Sequence, residues 1–166
     1  MSRDDLESRV EALEAKEAIK ELKHRYMRCL DRNDVEGLAG CFAVDANTWY
    51  TDGKYTFDGR DAIVQFLGRR KRLSLHTAHH AEISLLTPTT AKGIWALEDT
   101  NYREDGTVLH GAGYYQDTYV KVEGEWKIQS SGYDRTFEQV VPVVGTLKKG
   151  PRAWVGDRGE ETWPVT

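Results

Sequence analysis

The chain has 166 residues and a mass of 18.9 kDa, a length suited to one domain rather than two. With 27 acidic against 23 basic residues its net charge is -4, which argues against a nucleic-acid binder, a class that carries a basic field. Its apolar runs are far short of a membrane span, its charged N-terminus shows no secretory signal, and two cysteines make neither a disulfide framework nor a four-thiolate zinc site, so the expectation is a cytoplasmic enzyme or binding module with no nucleic-acid or membrane partner.

The spacing predicts helix over the first thirty residues. Leu6, Val10 and Leu13 recur at intervals of four and three, and Ile19, Leu22, Tyr26 and Leu30 at three, four and four. The register changes near Ala15, which marks either a bend or a separate surface segment. Asn33 or Asp34 then caps a second helix with Val35, Leu38 and Phe42 as its apolar stripe. A short β-like stretch follows at 48–50, with a turn at Asp52-Gly53. Asp58-Gly59 precedes a third helix, with Ile63, Phe66 and Leu67 on one face. It closes on Arg69-Arg70-Lys71-Arg72, read as a solvated helix end rather than a phosphate site.

From Leu75 the period becomes two. Strands are predicted over 75–86, 89–103, 107–121 and 125–137, joined at Pro88, Asp105-Gly106 and Glu123-Gly124. Helices followed by a meander imply an α+β fold: N-terminal helices under a curved antiparallel sheet, forming a cone with one open mouth. The domain is expected over 1–138. Residues 139–166 hold three of the four prolines, Trp154 and Trp163, and are expected to dock as a lid or a subunit arm.

Strand alternation singles out His79. Within 75–86 the odd positions include Leu75, Ala81, Ile83 and Leu85, so the odd face is predicted to be buried, with His79 inward and His76 and His80 outward. An inward imidazole is either a general base or a core histidine satisfied by the backbone. Asp31, directly after Leu30, either orients that imidazole or ends the helix. Tyr26, on the same helix face, needs a partner for its hydroxyl or donates to a substrate oxygen. Trp95 and Leu97 look inward and carry Asp99 and Asn101 to their side, where an unpaired Asp99 would be costly. Tyr115, Asp117 and Tyr119 share a face, with space beside Gly111 and Gly113. Arg135 pairs with a substrate carboxylate or, the favoured reading, with a structural aspartate. Trp95, Asp99, Tyr115 and Arg135 are therefore the candidate substrate-binding residues. No dinucleotide, phosphate-loop or nucleophile-elbow motif is present. The parity argument separates His79 from His76 and His80, so no metal site is expected. Cys29 is read as packing.

Taken together, Ala18-Ile19-x-x-Leu22-x-x-x-Tyr26, Leu30-Asp31, Gly59-Arg60-Asp61-Ala62-Ile63, Thr77-Ala78-His79-His80, Gly93-x-Trp95-x-Leu97-Glu98-Asp99 and Gly124-Glu125-Trp126-Lys127-Ile128 resemble the SnoaL-like branch of the nuclear transport factor 2-like superfamily over roughly residues 10–138. Within that branch, Glu17 to Lys23 and Tyr26-x-Arg28-Cys29-Leu30-Asp31 look most like the bile acid 7α-dehydratases, and more distantly like the scytalone dehydratases. The resemblance implies a cystatin-like cone and a cofactor-free hydro-lyase acting on a hydrophobic, steroid-like 7-hydroxy substrate. It implies Tyr26, Asp31 and His79 as catalytic residues, and a homo-oligomer with a trimer favoured over a dimer. Two other readings stay open: an isomerase or polyketide cyclase, and a non-catalytic small-molecule-binding module. An Asp31–His79 gap beyond hydrogen-bond reach would favour the last.

Overall fold

The structure, a computed structural model, describes residues 2–69, 73–150 and 153–154. Helix α1 (Arg3–Asp31) runs unbroken for 29 residues. Ser2 caps it, its hydroxyl accepting the Asp5 N–H at 3.1 Å, and Asp4 and Asp5 lie where the helix dipole favours negative charge. The first turns project from the body, which leaves Leu6, Val10 and Leu13 exposed. From Ile19 onward one face is buried, and it includes a lysine, Lys23.

Asp34 caps α2 (Val35–Cys41) by accepting the Gly37 N–H at 2.9 Å. Leu38 is buried there but Val35 is exposed, and Phe42 does not continue the helical stripe. It opens strand β1 (Phe42–Tyr50), which is longer than the short stretch its residues suggested. Strand β2 (Tyr55–Asp58) returns antiparallel, and Gly59, at φ 86°, turns the chain into α3 (Arg60–Gly68), with Ile63 and Val64 buried. Positions 70–72 of the basic run lie outside the described residues.

Strands β3 (Leu73–Thr87), β4 (Thr90–Tyr102), β5 (Thr107–Val122) and β6 (Glu125–Pro142) form the meander. The sheet order is β2-β1-β6-β5-β4-β3, with β1 parallel to β6 and every other pairing antiparallel. Two extra residues on β6, Gln129 and Thr136, break its register with β5 and sharpen the curvature. The core lies between the helices and one face of this sheet, where Ile19, Tyr26, Leu38 and Ile63 meet Trp95, Tyr115 and Ile128. The fold is the α+β cone that the pattern implied. Strand β6 runs four residues past the expected start of the tail, with Leu109 opposite Val140 and Thr107 opposite Pro142. Farther on, the Lys149 ammonium sits 4.0 Å from the centre of the Trp154 ring, and Trp163 lies outside the described residues.

Candidate active site

Strand β3 does not keep one parity. Pairing with β4 runs through His79↔Ala96 and resumes at Glu82↔Ile94, so β3 carries one extra residue. His80 takes up the irregularity at φ 51°, a left-handed conformation uncommon for a side-chain-bearing residue. Ala81, Ile83 and Leu85 pack on the core after the bulge, while before it the even residues turn in. The expectation for His79 is therefore corrected. Its side chain is 45% exposed on the other face, with Nε2 3.9 Å from a Glu98 carboxylate oxygen. His76 takes the inward position, with 13% of its side chain exposed.

Asp31 meets His76, not His79. One carboxylate oxygen lies 2.6 Å from His76 Nδ1 and accepts the Ser74 hydroxyl at 2.9 Å; the other accepts the His76 backbone N–H at 2.8 Å. Because β3 is the sheet edge, that N–H has no further strand to bond, and the helix-terminal carboxylate satisfies it. An Nδ1–H donated to Asp31 leaves Nε2 as the basic nitrogen of a neutral imidazole. Asp31 retains 14% side-chain exposure, so the pair borders solvent without being immersed in it.

On the other side of His76, its Nε2 is 3.9 Å from Asp99, outside hydrogen-bond range. Asp99 is held by both terminal nitrogens of Arg135, the second at 3.0 Å, and by the Asn101 amide at 2.6 Å. Burial opposes the Arg135 charge, but the hydrogen bonds and charge of Asp99 outweigh it and raise the guanidinium above its usual range. Among the described residues, Asn101 Oδ1 and Arg135 Nε are buried without a hydrogen-bond partner, and Arg135 Nε lies 3.9 Å from a Glu138 carboxylate oxygen.

Deeper in the cone, Lys23 and Asp117 form a fully buried ion pair at 2.7 Å. Asp117 also accepts from Tyr119 and Ser131, each at 2.7 Å, and Tyr119 in turn accepts the Trp95 indole N–H at 2.9 Å. The Lys23 ammonium lies 3.5 Å from the centre of the Tyr115 ring. Burial lowers the Lys23 pKa, and Asp117 opposes that shift. The Tyr26 and Tyr50 hydroxyls are 3.2 Å apart, and burial drives both pKa values well above the ordinary phenol, so both remain protonated donors.

The residues singled out from the sequence thus separate into groups. Asp31, Asp99 and Arg135 converge around His76, and Arg135 pairs with an aspartate. Tyr26 lies on the same helix as Asp31, five residues or about 7.5 Å deeper. Trp95 and Tyr115 are buried in the wall. His76 and Lys23 were missed. A lysine within the apolar stripe Ile19-Leu22-Tyr26 is a legible signal for a buried pair, whereas His76 required knowledge of the bulge.

The sequence profile of the SnoaL-like domain matches residues 11–131. A probable cyclase, FGR4, from Gibberella zeae is 24% identical over 145 residues, covering 78% of this chain and 97% of that protein. The crystal structure of a candidate scytalone dehydratase from Novosphingobium aromaticivorans is 25% identical with a TM-score of 0.72, covering 83% of this chain and 98% of the other. A nuclear transport factor 2-like protein with a cystatin-like fold from the same organism has a TM-score of 0.71 at 20% identity, covering 81% and 90%. The likeness is to proteins named as enzymes, a cyclase and a dehydratase, and it spans almost their whole length. With residues 11–131 of its 166 matched, the chain belongs to the SnoaL-like domain family.

Proposed function

We propose that the protein is a cofactor-independent dehydratase of hydrophobic hydroxylated ketones, with His76 as the general base. The substrate class we favour is a 7-hydroxysteroid of bile-acid type carrying a 3-keto-4-ene system. The observation that carries the reading is the 2.6 Å contact between Asp31 and His76 Nδ1. It leaves Nε2 on the Asp99 side of the ring, 3.9 Å from that carboxylate.

In this mechanism Nε2 takes the proton from the carbon next to the one bearing the hydroxyl. The electron pair moves through the conjugated system onto the ketone oxygen. The dienolate then collapses, the carbon–oxygen bond breaks, and the imidazolium returns its proton to the departing hydroxide, so one water leaves. Asp31 holds the tautomer and stabilises the imidazolium between these steps, a contribution on the order of 10²–10⁴ in rate. Tyr26 and Tyr50, kept neutral by burial, supply a hydroxyl donor to a substrate oxygen.

The test is incubation with 7-hydroxy-3-keto-4-ene steroids followed by mass spectrometry. Loss of one water is expected. His76→Ala and Asp31→Ala should abolish it with the fold intact by circular dichroism, whereas His79→Ala should stay within about twofold of wild type. Wild-type turnover by His76→Ala would overturn the assignment. A second reading, proton abstraction leading to isomerisation or ring closure, is favoured by the 24% identity to a probable cyclase. A product of unchanged mass would select it.

A further inference from the structure

The two cysteines take no part in the proposed reaction, yet the fold brings them together. Cys29 lies in the last turn of α1 and Cys41 ends α2, and both are buried. Their sulfurs converge on one residue, Gly37. Cys41 Sγ donates to the Gly37 carbonyl at 3.2 Å. Cys29 Sγ occupies the space where a Gly37 side chain would begin, so any Cβ there would collide with it. Cys29 Sγ also lies 3.6 Å from the Asp34 carboxylate. Arg25 and Lys127, the latter anchored on the Gly40 carbonyl at 2.9 Å, bring positive charge to the Cys41 side.

We infer that Cys29 and Cys41 are an oxidant-responsive dithiol that closes to an intramolecular disulfide and, through the two-residue span from Cys29 to Asp31, alters the carboxylate that holds His76. The chemistry assigns distinct roles to the sulfurs. The neighbouring Cys29 thiol, assisted by Arg25 and Lys127 and opposed by burial, brings Cys41 down to about 7. Cys29 is held up, first by Cys41 and then by burial, and keeps its proton. The thiolate, not the thiol, is the nucleophile.

With a hydroperoxide as oxidant, the Cys41 thiolate attacks the peroxide oxygen. The O–O bond breaks, and the leaving oxygen departs as water or alcohol after taking a proton, which leaves Cys41 as a sulfenic acid. Cys29 sulfur then attacks Cys41 sulfur, the S–O bond breaks, and the Cys29 proton leaves with the hydroxyl as a second water. The dithiol loses two electrons and the peroxide gains them. A disulfide requires Cα atoms within about 7 Å. The pairing of a helix end with the short helix after it, through Gly37, keeps the loop between the sulfurs compact.

The test uses the full chain and hydrogen peroxide. After treatment, the protein is denatured, alkylated with N-ethylmaleimide and weighed. The expected result is a monomer with no alkylation and a mass lower by two hydrogens, restored to double alkylation by dithiothreitol. Cys29→Ala and Cys41→Ser should each abolish the closed form. Retention of both alkylations, direct conversion to sulfinic acid, or a disulfide between two chains would overturn the pair. The link to the site has its own readout: hydrogen exchange of the His76 amide, which donates to Asp31. Its rate should change at least severalfold on closure, and an unchanged rate would overturn that link. Neither readout depends on the proposed reaction.

Discussion

At His76, geometry separates two neighbouring histidines into different roles. His76 is bonded to a carboxylate and half-enclosed, while His79, one residue before the irregular His80, is exposed beside Glu98. The variants His76→Ala and His79→Ala therefore test the bulge as well as the mechanism. Asp31→Asn should retain the amide acceptor for the His76 N–H yet lose the charge that stabilises an imidazolium. We expect turnover to fall by about 10²–10⁴ with little change in thermal midpoint. The cysteines carry a pH dependence. Cys41, brought down to about 7 from an ordinary 9.0, has lost its proton in the folded protein where the unfolded chain still holds it. Stability should therefore rise between about pH 7 and 9 and be lost as pH falls through 7. Urea denaturation on both sides of that window should show the rise in wild type and its loss in Cys41→Ser.

The β3 bulge and the burial of α1 operate at the scale of elements. His80→Gly should cost less than about 1 kcal/mol, because glycine accepts φ 51° freely, while His80→Val should cost about 1–2 kcal/mol. Deleting His80 would close the bulge with Ala81 opposite Trp95 and the pairs His79↔Ala96 and Glu82↔Ile94 kept, so His76 should stay inward on Asp31 and turnover should persist. Helix α1 is anchored by Lys23 on Asp117 across a sequence separation of 94 residues. Removing one partner of a buried pair leaves a lone charge, so Lys23→Met should destabilise by about 3–5 kcal/mol in denaturant melts. The double variant Lys23→Met, Asp117→Leu should recover much of that loss if its volume packs.

For the whole molecule, the sheet face opposite the helices is the feature that remains to be accounted for. Ile94, Tyr114 and Phe137 are exposed there, and a depression of about 260 Å³ lies between His79, His110 and Phe137. Apolar surface of this kind marks association in soluble proteins. We propose that the protein is a homo-oligomer through this face, with a trimer favoured. Light scattering should give a multiple of 18.9 kDa, and Tyr114→Glu combined with Phe137→Glu should reduce it to a monomer.

The three helices, the four long strands and their turns were legible in the sequence because helix and strand periods are local, and acidic-glycine turns announce hairpins, whereas the four-residue β2 is too short to show a period. So were Asp31, Asp99 and Arg135, whose polar character is conspicuous beside Leu30, Leu97 and the last strand. Length, charge and the absence of long apolar runs bounded the class of protein from the start. Tertiary structure decided what alternation cannot carry. A single extra residue in β3 reverses its parity, so the inward histidine changed from His79 to His76. The parallel contact of β1 with β6, the pairing of Lys23 with Asp117 and the meeting of Cys29 with Cys41 also depend on how elements pack. A local pattern records which way a side chain points only while the strand stays regular, and it does not record which distant charge will be waiting there.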